Sequence, residues 1–343
     1  MGPGSALILF ALGVLGLYFL LRPGRGWLPR VLRVLRLTER VRLEDTLKHL
    51  LHSESLATPA TTERVAGAVE VSRGRALALL ERLGRLGLAA FDGHGHRLTA
   101  SGRRYALRLV RAHRLLERYF ADRTGLPPVE WHEEAERREH QLSPEQTEAL
   151  AARMGHPVLD PHGDPIPGPA GELPPPVGVP LTETGAGNVV RIVHLEDEPL
   201  EIYDRLLARG LSLGAVLRVT RVEPVAVSFV LDGREEVLDS LLAANVEVAA
   251  AAGAVVPEQP QRSLADLRIG EQAEVIGIAP VCQGAQRRRL LDLGVVPGTT
   301  IRAVMASAAG DPIAYEIRGA QIALRRRQAE WIRVRAAERG VAA

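Results

Sequence analysis

Between positions 113 and 140 the chain carries six imidazole and carboxylate side chains at helical spacings. His113 and Glu117 are four apart, and His132, Glu136, Glu139 and His140 fall at relative positions 0, 4, 7 and 8. At about 3.6 residues per turn each set shares one helix face. Two such faces turned toward each other form the kind of site in which helix bundles hold metal ions. Glu133, Glu134 and Arg137 fall on the solvated side. The single cysteine, Cys282, excludes an internal disulfide and a thiolate cluster. Nitrogen and oxygen ligands without sulfur suit Mn²⁺, Fe²⁺, Zn²⁺ or Co²⁺, and a carboxylate-rich set with room for more than four ligands favours Mn²⁺ or Fe²⁺. No separate nucleophile or oxyanion motif accompanies the cluster, so an enzyme is not expected.

The elements that must position these side chains are legible from caps and breakers. Residues 43–52 predict a helix, residues 61–69 a short helix opened by a Thr, and Ser72 an N-cap for a helix reaching about Leu86. Residues 88–91 and 96–99 then predict two strands around the turn at 92–95. Helix, helix, recognition helix and hairpin make a winged helix-turn-helix. Its DNA-facing residues are expected to be Ser72, Arg73 and Arg75 at the recognition-helix start and Arg97 on the wing, because Arg pairs with phosphates and guanine edges. A long helix to about Gly125, a second over residues 129–142 and a third from the Ser143-Pro144 cap to Gly155 follow. Prolines then crowd residues 157–180, where no regular element is expected.

Beyond the prolines the chain repeats itself. The run from Arg205 to Gly214 aligns with that from Arg289 to Gly298 at an offset of 84, and Arg218 falls on Arg302. Each copy reads as a small all-β unit with a short helix. At the other end, residues 2–21 carry no charged side chain, and Arg22, Arg25, Arg30, Arg33 and Arg36 follow. That run is at the short end of a membrane span, and the positive-inside rule then places everything after it in the cytoplasm. The formal net charge of +2 identifies no partner by itself.

These residues resemble the diphtheria-toxin-repressor-like, iron- or manganese-dependent transcriptional regulators. The likeness covers about residues 43–167 and is specific over 111–117, 129–140 and the Asp160-Pro161-His162-Gly163-Asp164-Pro165-Ile166-Pro167 signature. It implies metal ligands at His113, Glu117, His132, Glu136, Glu139 and His140, with Asp45 a further ligand that couples the DNA-binding domain to the metal. Iron-type members carry Cys where Glu136 stands and manganese-type members carry a carboxylate. Lys48, however, occupies a position where manganese-type members tend to have a second carboxylate. The choice of metal and the division into one or two sites therefore stay open. The repeats resemble FeoA-like, SH3-type barrels, which in iron-type members lend ligands to a second site; Glu198 or Glu201 could do so.

The expected architecture is multidomain: a transmembrane anchor (1–22), a basic connector (23–42), a winged helix-turn-helix (43–101), an all-α metal-binding and dimerisation domain (102–167), a Pro/Gly-rich linker (168–186), and SH3-like β-barrels at 187–250 and 263–336 joined by a linker at 251–262. The expected function is a homodimeric, Mn²⁺- or Fe²⁺-dependent regulator binding double-stranded operator DNA. Its expected location is the cytoplasmic (inner) membrane, single-pass, with the soluble domains in the cytoplasm. The alternative is a membrane-bound accessory or sensor of a metal transporter, contacted through the FeoA-like barrels.

Overall fold

The computed structural model describes residues 27–176, 178–258 and 261–336, with the backbone path alone for residues 27–37. The chain forms two compact units: one runs to Arg111 and includes Pro169–Gly171, and the other comprises Ala112–Gly168 and the chain from Glu172 onward.

The first unit contains α1 (Trp27–Ser55), α2 (Thr62–Ala68), α3 (Arg73–Arg85), β1 (Ala89–Phe91), β2 (His96–Leu98) and the start of α4 (Ala100–Arg123). The stretch expected as a connector is, from Trp27, part of α1. Leu47 and Leu50 of α1 pack with Val65 of α2 and with Ala76, Leu80 and Leu83 of α3. The 76, 80, 83 spacing is what turns one face of α3 inward and leaves its arginines in solvent. The wing is antiparallel, pairing Ala89 with Leu98 and Phe91 with His96. Its turn is held by Asp92, whose Oδ1 accepts from the N–H groups of His94 and Gly95.

The single-pass membrane placement is corrected. Among the described residues no helix is long and apolar enough to cross a membrane. The longest, α1, meets charge at almost every turn, at Arg30, Arg33, Arg36, Glu39, Arg40 and Arg42. The run 2–21, on which the anchor expectation rested, lies outside the described residues.

The second unit begins with the rest of α4, a 3-10 turn at Pro128–Glu130, α5 (Trp131–Glu139) and α6 (Pro144–Arg153). Leu116, Phe120 and Ala121 of α4 pack against Trp131 and Ala135 of α5. A buried aromatic covers about 150–250 Å², so this contact fixes the helix pair. Ser143 and Gln146 form a capping box at the start of α6.

Two barrels follow. The first contains β3 (Val179–Pro180), β4 (Val189–Leu195), α7 (Leu200–Ala208), β5 (Val216–Glu223), β6 (Ala226–Leu231), β7 (Arg234–Asp239), α8 (Ser240–Ala244) and β8 (Val246–Ala250). The second contains β9 (Arg262–Ser263), β10 (Gln272–Ile278), α9 (Gly284–Asp292), β11 (Thr300–Ala306), β12 (Ile313–Ile317), β13 (Ala320–Leu324), α10 (Arg326–Glu330) and β14 (Ile332–Ala336). Strand order is β3-β8-β4-β5-β6-β7 in one and β9-β14-β10-β11-β12-β13 in the other, the same path twice. The register shift between Val219 and Arg221 recurs between Ala303 and Met305, again 84 residues on. Such bulges bend the strand that carries them and increase its twist. The stretch expected as linker contributes β3 and the fully buried Leu181, which anchors the first barrel's core.

Candidate metal centre

The centre is built from α4 and α5 and completed by two loops. On α4, His113 Nε2 stands 3.0 Å from Glu117 Oε1 one turn away. The other ring nitrogen of His113 meets Glu139 Oε2, so this imidazole is held between the two helices. His132 of α5 brings Nδ1 to 3.1 Å from Glu117 Oε1 and 3.3 Å from His113 Nε2. From the loop after α6, His162 Nε2 lies 3.9 Å from Glu117 Oε1. From the β4–α7 turn of the first barrel, Asp197 Oδ2 is 3.1 Å from His132 Nδ1 and 3.7 Å from His162 Nε2, and Glu198 Oε1 is 2.8 Å from His132 Nε2.

The His162 loop is shaped by its neighbours. Asp160 Oδ1 accepts from the N–H groups of His162, Gly163 and Asp164, each at 2.9 Å. Gly163 sits at φ +103°, and a Cβ there would lie 2.0 Å from the Val193 carbonyl oxygen, so both the backbone and the close approach require glycine. The His162 carbonyl accepts from Leu195 N at 2.9 Å, joining the loop to β4. Arg114 donates to the Pro165 carbonyl at 2.7 Å and to Asp164 Oδ1 at 2.9 Å.

Packing so many titratable groups together shifts their protonation. Burial opposes the charge of Glu117, but the charge and hydrogen bonds of His113 and His132 override it and hold the carboxyl well below its usual range. Burial likewise opposes a proton on His132, yet hydrogen bonds to Asp197, Glu117 and Glu198 push its pKa up to about 12. Asp160 is raised, by burial first and then by the charges of Asp164 and Glu117. Burial also opposes a proton on His194, and the hydrogen bond it donates to Asp164 overrides that, raising the pKa to about 9.

The donors suit a divalent cation. His113, Glu117 and His132 each offer one ligand atom within 4.8 Å of the others, and so do Glu117, His162 and Asp197, and His132, Glu136 and Glu198. His162 is buried with both ring nitrogens lacking a hydrogen-bond partner. An unsatisfied buried polar group costs about 1–3 kcal/mol, and a cation bound at either nitrogen would remove that cost. Among the described residues the candidate ligand atoms of the cluster are nitrogens and oxygens, and Cys282 is buried in the second barrel's core.

Of the residues expected from spacing, His113, Glu117, His132 and Glu139 meet. His140 Nε2 lies 3.5 Å from Glu139 Oε1. Glu136 sits at the exposed rim, 3.7 Å from His132. Asp45 lies on α1 and belongs to the first unit. Of the two barrel carboxylates weighed, Glu198 reaches the cluster. His162 and Asp197 were not singled out as ligands; the signal for both was local, a His inside the 160–167 signature and the Glu196-Asp197-Glu198 run before a helix. On the winged helix, Ser72 caps α3 by accepting from Arg75 N at 3.3 Å. Arg73 is exposed and pairs with Glu63 at 2.8 Å. Arg75 is exposed, and Arg97 pairs with Asp92 across the wing turn.

Comparison with known proteins adds independent findings. Residues 99–168 match the iron dependent repressor metal binding and dimerisation domain, and residues 179–250 and 262–336 each match the FeoA domain. The iron-dependent repressor IdeR of Mycobacterium tuberculosis is 33% identical over 188 residues, which is 51% of this chain and 81% of that protein. The diphtheria toxin repressor of Corynebacterium glutamicum is 31% identical over 163 residues, 44% of this chain and 71% of that protein. A solved manganese-dependent transcriptional repressor in complex with manganese superposes with a TM-score of 0.56 at 30% identity, over 61% of this chain and all of that one (100%). Relatives that are repressors overturn the inner-membrane placement and give the transporter partner no support.

Proposed function

The chain belongs to the iron-dependent repressor family, and from that premise we propose that it is a divalent-metal-activated, DNA-binding transcriptional regulator of metal homeostasis that acts as a homodimer. The family comprises metal-dependent repressors, not enzymes. The observation that carries the reading is the cluster of His113, Glu117, His132, His162, Asp197 and Glu198, drawn from two helices, one loop and one barrel, in overlapping groups whose ligand atoms lie within 4.8 Å of one another. Mn²⁺ or Fe²⁺ is the metal this oxygen-rich, thiolate-free set fits best. When bound, it supplies the positive charge that lets these carboxylates lie side by side.

The residues of the chain do the rest. Glu117, already ionised, is the shared acceptor of the cluster, and His113 links it to Glu139 on α5. Asp197 and Glu198 tie the first barrel to His132. Glu139, His140 and Glu136 extend the ligand set, and Asp45 is assigned to it through the family resemblance. Metal raises DNA affinity only as far as it favours the DNA-competent state over the other. Ser72, Arg73 and Arg75 at the start of α3, with Arg97 on the wing, are the residues proposed to meet DNA. The transporter-accessory reading has no observation in its favour.

The test is DNA binding by the full chain to its own promoter region with Mn²⁺, with Fe²⁺ and with chelator. Tighter binding with metal, lost in Glu117→Gln and blunted in Asp45→Ala while weak metal-free binding persists, is the expected result. No DNA binding at low salt under saturating Mn²⁺ and Fe²⁺ would refute the regulator.

A further inference from the structure

The two barrels share a fold but carry opposite charge. Residues 179–250 hold twelve carboxylates and six arginines, whereas residues 262–336 hold twelve arginines and seven carboxylates. The excess in the second barrel is not spread evenly. Its strand arginines are each paired: Arg262 with Glu271, Arg302 with Glu316, Arg335 with Glu274 and Arg333 with Asp232. Five others are not. Arg288, Arg289, Arg318, Arg325 and Arg327 are exposed and have no ion-pair partner among the described residues.

These side chains lie on or beside α9 and α10, which touch. Gln328 of α10 donates to Gln286 of α9 at 3.5 Å, which sets the two helices side by side. Arg289 is three residues after Gln286 and Arg325 three before Gln328, so each flanks that bridge by one turn. Arg318 packs over Gly294 at the end of α9, where a Cβ would lie 2.7 Å from its Cδ. Arg327 lies over the Trp331 ring, 6.0 Å from its centroid. The carboxylates nearby are Asp292, Glu330, which is engaged by Arg326, and Asp311, which accepts the Arg326 backbone N–H. In the first barrel the residues 84 positions earlier than Arg288 and Arg289 are Asp204 and Arg205, and the α8 helix has no charge at all.

We propose that the α9–α10 end of the second barrel is a phosphodiester-binding surface that contacts the nucleic-acid backbone, outside the winged helix and without reading sequence. The inference rests on the reading of the chain as a DNA-binding regulator, which makes duplex DNA the polyanion at hand. Guanidinium is permanently charged and its planar fork matches phosphate oxygens two at a time. Five unpaired forks on or beside two short helices leave that positive field uncompensated until a polyanion arrives.

The experiment uses the full chain and a short duplex of unrelated sequence, titrated across salt concentrations. Arg73→Ala with Arg75→Ala removes the winged-helix arginines; a second variant adds Arg288→Gln, Arg289→Gln and Arg325→Gln. The first variant is expected to keep residual binding that is insensitive to chelator. The added substitutions should weaken that binding about tenfold or more at low salt and lower the log–log salt slope by about two to three units, since each phosphate contact contributes roughly 0.9. Metal stoichiometry and the thermal midpoint should stay unchanged, which shows that the fold is intact. Residual binding that is absent, or unmoved by the three barrel substitutions, overturns the proposal. So does loss of binding to phosphatidylglycerol vesicles with duplex binding unaffected, which would assign the face to lipid. Failure of the regulator reading shows differently: the unaltered chain would lack any metal-dependent, promoter-selective step, whatever the barrel substitutions do.

Discussion

The same strand path, the same bulge positions and a core of the same kind occur twice in this chain, yet only one copy reaches the metal centre. In the first barrel the turn before α7 presents Asp197 and Glu198 to His132. In the second, the positions 84 residues on are Val281 and Cys282, the latter 1% exposed and packed with Leu290 and Ala329. One turn therefore faces outward with carboxylates and the other folds inward with a thiol. The cores are set by alternation along the strands, as in Leu217, Val219 and Val227, Phe229 of one copy and Ile301, Ala303 and Tyr315, Ile317 of the other. Nothing in that alternation constrains the turns. A barrel can thus keep its interior while its end is recast from ligand to core or, on our proposal, from acid to phosphate contact.

The comparison is broken most forcefully from within. Phe229→Ala in the first barrel and Tyr315→Ala in the second each remove a fully buried aromatic and should cost about 3–5 kcal/mol. Thermal unfolding should show both losses, but only Phe229→Ala should also weaken metal binding by calorimetry. Equal effects on the metal would mean that the second barrel supports the centre too. Asp197→Asn with Glu198→Gln should lower metal affinity by about 100-fold or more, since losing even a group that only orients a ligand costs about 10–100-fold. Cys282→Ser, at the equivalent turn, should leave affinity unchanged.

A subtler contrast lies in protons. His132, pushed up to about 12, holds its proton at neutrality, whereas burial raises the Cys282 thiol to about 11 and leaves it neutral there. A raised histidine pKa stabilises the metal-free fold fully below its ordinary value near 6.5, and that contribution is lost as pH climbs toward 12. Metal must displace this proton, so affinity should rise with pH, by about tenfold per unit for one proton released. Calorimetry in buffers of different ionisation enthalpy measures the release. In Asp197→Asn with Glu198→Gln the rise should level off at a lower pH, because the two barrel acids help to hold the proton; an unmoved levelling point would place its origin elsewhere.

How much of this was legible follows from where each group sits. His113, Glu117, His132 and Glu139 were readable because a helix converts spacing into direction, so four residues apart means one face. His162 and Asp197 lie in loops, whose direction depends on the packing that brings them in: Asp160 folding under three N–H groups, Gly163 against Val193. Leu181 was hidden for a similar reason, since the prolines before it suggest a linker while its burial is decided by strand β3 pairing with β8. The helix expected over 129–142 is α-helical only from Trp131 to Glu139; its first turn is 3-10, and helix ends are where local sequence decides least. The repeat, by contrast, was plain in the sequence, because both copies need a helix-ending glycine at the same place.

The hydrogen bond from Leu195 N to the His162 carbonyl has a kinetic consequence. That amide proton exchanges with solvent only when the loop lifts from β4. A ligand gripping the His162 ring from one side and Asp197 from the other would make such lifting rarer. The lifetime of a single amide in the first barrel therefore becomes a clock for occupancy of the centre, readable by deuterium uptake without any DNA present.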